Sequence, residues 1–206
     1  MTLSAWLGLL AAGVLVSIAP GPGAAISISS GMRYGFRAAF VAILGLQVAI
    51  AFHLCIVALG LGALLAASEV AFSAVKFCGA AYLVWLGIQK WRAPAAPIDG
   101  EAGRVRAGGF FLQGVAVNLT NPKAIVFIAA LVPHFIDTGA PQAPQYLLIA
   151  LTLCVVDVAV MSTYALAAER LGRWFSDPAA LRVQNRLFGS IFVGAGVALA
   201  GASPSP

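Results

Sequence analysis

Asp157 is the one acidic residue set deep inside a hydrophobic segment, the apolar run from Tyr146 to Ala168. The other six, Glu69, Asp99, Glu101, Asp137, Glu169 and Asp177, fall at segment ends or between segments. A carboxylate at mid-membrane costs about 2.5–3.5 kcal/mol on insertion scales, so it normally faces a cavity or a partner and marks a path for protons or solutes. Two chemistries suit it: carrying a proton, or pairing with a substrate amine. The structural alternative is an ion pair with Lys123 or an arginine. Lys123 follows Asn118-Leu-Thr-Asn121-Pro122. It could hold a substrate carboxylate, neutralise Asp157 in an empty site, or snorkel to the inner interface. Asn118 and Asn121 are candidates for substrate hydrogen bonds or for capping helix ends. Gln47 is the polar residue inside another apolar run and serves either substrate contact or interhelical bonding. His53 is a candidate proton relay, because histidine titrates near neutral pH; its ordinary role would be a hydrogen bond between helices.

These residues need membrane helices to position them. Of the 206 residues, 61% are hydrophobic and 9% charged, with a mean hydropathy of +0.97, whereas soluble domains are about 25% charged. A spanning helix takes about 20 apolar residues. The apolar runs, roughly 3–29, 38–67, 70–91, 108–133, 143–168 and 187–202, make six spans in one domain. The last is short for a span, which leaves it room to borrow from the stretch before it or to tilt little. The N-terminus has no basic residue before Arg33, so it reads as a first span rather than a cleaved leader. The net charge of +5 lies between apolar runs and speaks for topology, not for nucleic acid. Cys55, Cys78 and Cys154 lie within apolar runs, without metal-ligand spacing, and read as small core residues.

Charge sorts the loops. Arg33 and Arg37, then Lys90, Arg92, Arg104 and Arg106, then Arg170, Arg173, Arg182 and Arg186 occupy alternate loops, ten of the 12 basic residues. The loops between carry Glu69 alone, or His134 and Asp137. The positive-inside rule then places both termini outside the cytoplasm. Trp6 and Tyr146 suit an outer aromatic belt, Tyr34, Trp91 and Trp174 an inner one, and Lys76 snorkels outward.

The segment 92–107 is the longest cytoplasmic linker and divides a first half, 1–91, from a second, 108–206. Lys76-Phe-Cys-Gly79-Ala-Ala-Tyr82 matches Arg186-Leu-Phe-Gly189-Ser-Ile-Phe192 in character, and the same offset pairs Gln47 with Asp157. Three spans per half make this an inverted repeat, as secondary transporters use. Each half also has a break: Pro20-Gly21-Pro22-Gly23 in the first run, Asn121-Pro122 in the fourth. Prolines inside a helix cost about 3 kcal/mol or more. In a membrane such breaks persist where protein or a water-filled cavity satisfies the backbone. A helix restarting at Pro122, capped by Asn121, would point its positive end at a substrate carboxylate.

Ser17-Ile-Ala-Pro20-Gly-Pro-Gly23, Asn118-Leu-Thr-Asn-Pro-Lys123, Gly79-Ala-Ala-Tyr-Leu-Val-Trp-Leu-Gly87 and Val155-Val-Asp157 resemble the first-, fourth-, third- and fifth-span signatures of the lysine exporter superfamily. Gly87-Ile-Gln-Lys-Trp-Arg92 and Val156-Asp157-Val-Ala-Val-Met161 are most similar to its homoserine/homoserine-lactone efflux branch. Ala19 departs from the serine often found before the first proline. The resemblance implies an all-α bacterial inner-membrane protein that exports small amino acids or derivatives against protons, without a cofactor. Threonine and other amino acids are alternative substrates. A metal exporter is the closer rival, but one membrane carboxylate and scattered cysteines make a poor ligand set. An enzyme is disfavoured: there is no His-Glu-x-x-His, no serine with an evident histidine base and no second membrane carboxylate. Glycine- and alanine-rich faces allow close packing within or between subunits, so a homo-oligomer stays open.

Overall fold

The computed structural model describes residues 1–67, 77, 78, 80, 81, 84, 85, 87–89, 91–93, 109–171 and 177–201. The linker beyond Ala93, together with Glu69, Lys76, Gly79, Tyr82, Lys90, Arg104, Arg106, Arg173 and Trp174, lies outside the described residues. The expectations resting on those positions are the linker itself, part of the loop charges and half of the repeat match.

Among the described residues all regular structure is helical. Helix α1 (Leu3–Ile18) starts where the Thr2 hydroxyl accepts from the Ala5 amide at 3.2 Å. It stops before Pro20, and α2 (Pro22–Tyr34) restarts with proline at its first position, bent by 54°. Helix α3 (Phe36–Ala67) follows after a single residue, Gly35, whose φ of 79° is the left-handed value that glycine adopts without strain. The loop expected around Arg33 and Arg37 is therefore one residue, with the two arginines in flanking helical turns. The described positions from Phe77 to Arg92 are helical. Helix α4 (Gly109–Leu119) ends before Pro122, and the short α5 (Pro122–Val126) resumes at a second 54° bend.

Past α5 the chain widens into a π turn at Phe127–Leu131 and tightens into a 3₁₀ turn at Val132–Phe135. Pro133 explains the change. It has no N–H, and its ring would clash with the carbonyl four residues back in a regular helix. Buried Gln145 closes the next corner, donating to the Asp137 carbonyl and accepting from the Asp137 amide, both at 2.9 Å. Helix α6 (Gln142–Leu171) then runs unbroken. Helix α7 (Pro178–Gly201) is capped by Asp177, whose carboxylate accepts from the Ala179 amide at 3.0 Å. It begins well before the apolar run that starts at 187. Arg182 and Arg186, expected in a loop, therefore belong to its early turns.

Two helices are long and apolar enough to cross a membrane, Phe36–Gly60 and Gln142–Arg170, and each bent pair can make one more span. The described residues thus give two to four spans. Large apolar side chains such as Leu147, Leu151 and Val155 on α6 are exposed, as a lipid-facing stripe requires. Ile149, Leu153, Met161 and Ala165 are buried at the same spacing of four. Asp157 falls in that second series, so helical geometry turns it inward. Helices α3 and α4 cross with almost no gap. A Cβ on Gly114 would lie 2.0 Å from the Ala42 carbonyl oxygen, and one on Gly45 2.1 Å from that of Phe111. Small residues permit this approach in lipid, where packing rather than hydrophobic exclusion holds helices together.

Two apolar clusters flank the centre. One gathers Ile26, Ile28, Ile43, Leu46 and Met161; the other gathers Leu9, Ile50, Phe127, Ile128 and Leu153. Between them lies the polar site.

Candidate functional site

The two broken helix pairs and helices α3 and α6 line a cavity that is open on one side. Its polar lining is Ser17 from α1, Asn118, Asn121 and Lys123 from the second break, and Asp157 from α6. Leu46, Ile50, Phe127, Ile128, Leu153 and Met161 make the apolar wall.

Asp157 accepts from Gln47 Nε2 at 2.8 Å and from Ser17 Oγ at 3.3 Å. Both donors are neutral. Gln47 and Asp157 stand 110 residues apart, the offset expected from the sequence to pair its two halves, and they touch. Gln47 Nε2 also bonds the Ile43 carbonyl at 3.1 Å, while its Oε1 is buried without a partner among the described residues. Gln47 is thus an interhelical bridge that meets Asp157 from outside the cavity lining.

The charge of Lys123 acts on Asp157, as one reading of the sequence expected, but its hydrogen bonds lie elsewhere. Its ammonium turns to the end of α1 and donates to the carbonyls of Ala19 at 2.8 Å and Val16 at 2.9 Å. The reason lies in the break. A helix ends with four carbonyls lacking intrahelical donors, and a membrane interior supplies no water for them. Lys123 satisfies two of these. The Tyr164 hydroxyl of α6 donates to a third, the Ile18 carbonyl. The Ala19 amide reaches the Leu15 carbonyl at 3.2 Å. A cation at a helix C-terminus also complements the negative end of the dipole. The lysine of the second break therefore closes the first.

The second break is closed by amides. Asn121 Oδ1 accepts from the Lys123 amide at 3.1 Å, an N-cap for α5. Asn121 Nδ2 donates to Asn118 Oδ1 at 2.9 Å, and Asn118 Nδ2 to the Leu46 carbonyl on α3 at 2.9 Å. Both asparagines are buried. His53 is buried outside the cavity lining and hydrogen-bonds the Leu119 backbone, at the last residue of α4. Its place is beside the second break.

The structure thus brings Asp157, Gln47, Asn118, Asn121, Lys123 and the breaks at Pro20–Gly23 and Pro122 to one place, with His53 behind it. Reasoning from sequence missed Ser17 and Tyr164. Ser17 carried a faint signal, a hydroxyl three residues before Pro20. Tyr164 lies seven residues after Asp157, two helical turns along the same face. Trp6, expected in a belt, donates to Thr152 on α6 at 3.0 Å. Among the described residues no three His, Cys, Asp or Glu side chains gather where they could hold a metal ion.

Comparison with known proteins extends this picture. The LysE type translocator family model matches residues 14–203. A membrane protein of Vibrio cholerae is 44% identical over 202 residues, covering 97% of this chain and 98% of its own. The homoserine/homoserine lactone efflux protein of Salmonella typhi is 42% identical over 203 residues, 98% of either chain. A leucine efflux protein of Klebsiella pneumoniae is 29% identical over 199 residues, covering 95% of this chain and 94% of its own. No solved structure gives a significant match. A membrane chain with two broken helices around a half-buried carboxylate, matched along nearly its whole length, belongs to the LysE-type translocator family.

Proposed function

We propose that the protein exports small amino acids from the bacterial cytoplasm, homoserine and homoserine lactone first and threonine among the alternatives, in exchange for protons. The observation that supports this most is the position of Asp157. It is the acidic residue of a cavity built at the junction of two helix breaks, and its hydrogen-bond partners are neutral. An ionised Asp157 would hold the ammonium of the cargo, and protonation would release it. One carboxylate serving two cations in turn gives obligatory exchange without a second ion site.

The full arrangement in this proposal has six spans, three in each half, the second half inverted on the first, with both termini outside the cytoplasm. Contact between Gln47 and Asp157, equivalent by sequence offset, supports it. Such residues touch only near the axis relating the halves. The halves would rock about this point, opening the cavity to either side. The 42% identity to efflux proteins for homoserine and its lactone supports that choice of cargo. The apolar wall and the leucine efflux relative favour a second reading, in which a larger aliphatic amino acid is also carried.

The test is homoserine efflux from proteoliposomes under an imposed proton gradient, with and without an uncoupler, for the wild type and Asp157→Asn. We expect uncoupler-sensitive accumulation against a gradient that Asp157→Asn abolishes. Full accumulation by a correctly inserted Asp157→Asn would remove the proposed coupling site. Flux indifferent to the uncoupler would remove proton exchange.

A further inference from the structure

We propose that Arg92, Arg182 and Arg186 form a binding site for the phosphate headgroup of an anionic phospholipid, at the end of the molecule where α7 begins. The site lies away from the cavity and does not depend on the export reading.

Two of the arginines share one helix face. Arg182 and Arg186 are four residues apart on α7, so their side chains stand a turn apart and repel one another. Both are exposed, and neither pairs with a carboxylate among the described residues. The acid at this end, Asp177, is engaged in capping α7 through the Ala179 amide at 3.0 Å. Tertiary contact brings the third guanidinium. Trp91 Nε1 donates to the Arg186 carbonyl at 2.9 Å and to Ser190 Oγ at 3.3 Å. The indole fits because residue 189 is glycine, where a Cβ would overlap the ring. Asn185 Nδ2 reaches the Ala93 carbonyl at 3.4 Å. Both neighbours of Arg92 are thus tied to the turns that carry Arg182 and Arg186, and Arg92 is exposed there without an ion pair among the described residues. The linker that follows, 94–107, holds two acidic and two basic residues, so its net charge does not neutralise the three.

An apolar surface adjoins them. Val183 and Leu187, each one residue beyond an arginine, are exposed. From here α7 continues into the apolar run 187–202, so these side chains lie where headgroups give way to acyl chains. Trp91 stands at the same level, where indoles settle in membranes. Guanidinium groups meet phosphate oxygens through paired hydrogen bonds, and basic clusters at the ends of membrane helices attract anionic headgroups. Positive charge in any loop would orient the chain in a membrane. An indole fixed by hydrogen bonds, a third arginine held beside two others and an apolar stripe next to them suit one phospholipid, phosphate at one end and acyl chain along the other.

The experiment titrates the delipidated full chain, in an uncharged detergent, with phosphatidylglycerol or phosphatidylcholine and counts bound lipid by native mass spectrometry. Phosphatidylglycerol should fill a first site about tenfold more tightly than phosphatidylcholine. Arg182→Gln with Arg186→Gln should weaken that site roughly 10- to 30-fold. Arg37→Gln with Arg170→Gln removes the same charge from exposed arginines of α3 and α6, and should change it by less than about twofold, because distant surface charges are screened. In the unsubstituted protein, phosphatidylglycerol nanodiscs should shield Arg182 and Arg186 from phenylglyoxal better than phosphatidylcholine nanodiscs do, with Arg37 and Arg170 labelled alike in both. This second measurement decides the matter if the glutamine pair does not fold. Equal binding of the two lipids, equal weakening by the two pairs of substitutions, or equal shielding of all four arginines would overturn the proposal. So would displacement of the lipid by inorganic phosphate at matched ionic strength, which would make this a site for a free anion.

Discussion

Replacing Lys123 by methionine separates two roles for its ammonium. Methionine keeps an unbranched apolar stem and removes the charge. In the structure the change leaves the Val16 and Ala19 carbonyls without the donors now at 2.9 and 2.8 Å. Each such loss costs about 1–3 kcal/mol when the acceptor stays buried. Relief from burying a charge offsets part of this, leaving a net cost of about 2–4 kcal/mol. For a chain of this size one kcal/mol moves Tm by about 2–4 °C, so the apparent Tm should fall by roughly 4–16 °C. The assay is thermal unfolding of the purified protein in detergent at one fixed scan rate, alongside homoserine transport in liposomes. A large fall in Tm, with transport lost in proportion to folded protein, fits a lysine that holds the end of α1. An unchanged Tm with transport abolished would refute this reasoning and assign the ammonium to the cargo.

Five further substitutions test the neighbouring contacts. Tyr164→Phe removes the hydroxyl that meets the Ile18 carbonyl and should cost about 1–2 kcal/mol, read as a lower Tm in the same assay; no change would mean that carbonyl finds another donor. Gly114→Ala places a methyl group 2.0 Å from the Ala42 carbonyl and should destabilise by about 3 kcal/mol or more. Gly60→Ala, which meets nothing within 4 Å, should be neutral or slightly stabilising; equal effects at the two sites would contradict the close crossing. Asn121→Ala deletes the cap of α5 together with the donor to Asn118 Oδ1 and should cost about 1–3 kcal/mol, whereas Asn121→Asp keeps the capping oxygen but sets a buried carboxylate against Asn118 Oδ1 and should not recover the loss, as measured by Tm.

Asp157 was legible from sequence because it is the one carboxylate set deep inside an apolar run, and a spacing of four along its helix then turns it inward. Both breaks were legible because proline announces itself. The partners that close those breaks were not. Lys123, Tyr164 and His53 all bond to main-chain atoms, and a backbone carbonyl looks the same at every residue. No pattern of side chains marks Val16, Ile18, Ala19 or Leu119 as acceptors. Lys123 was therefore read through its charge, toward a carboxylate or the inner interface, and its hydrogen bonds to the end of α1 were the part that no side-chain pattern announced. The start of α7, where borrowing from the preceding stretch was one expectation, was legible only in part, for a different reason. Hydropathy averages over Arg182 and Arg186 and reports a loop, whereas Asp177-Pro178 is a local start signal that outweighs it.

The ties across the first break also set a timetable for synthesis. Lys123 leaves the ribosome 107 residues after Val16 and 104 after Ala19, and Tyr164 follows Ile18 by 146. At about 5–20 residues per second, the end of α1 waits roughly 5 to 30 s for its donors. During that interval a bare helix terminus cannot rest in lipid. The nascent first span must stay at the insertion machinery or in contact with water until the later helices arrive. An amino-terminal fragment ending before Asn121 would lack these donors entirely, which makes it a natural target for membrane quality-control proteases.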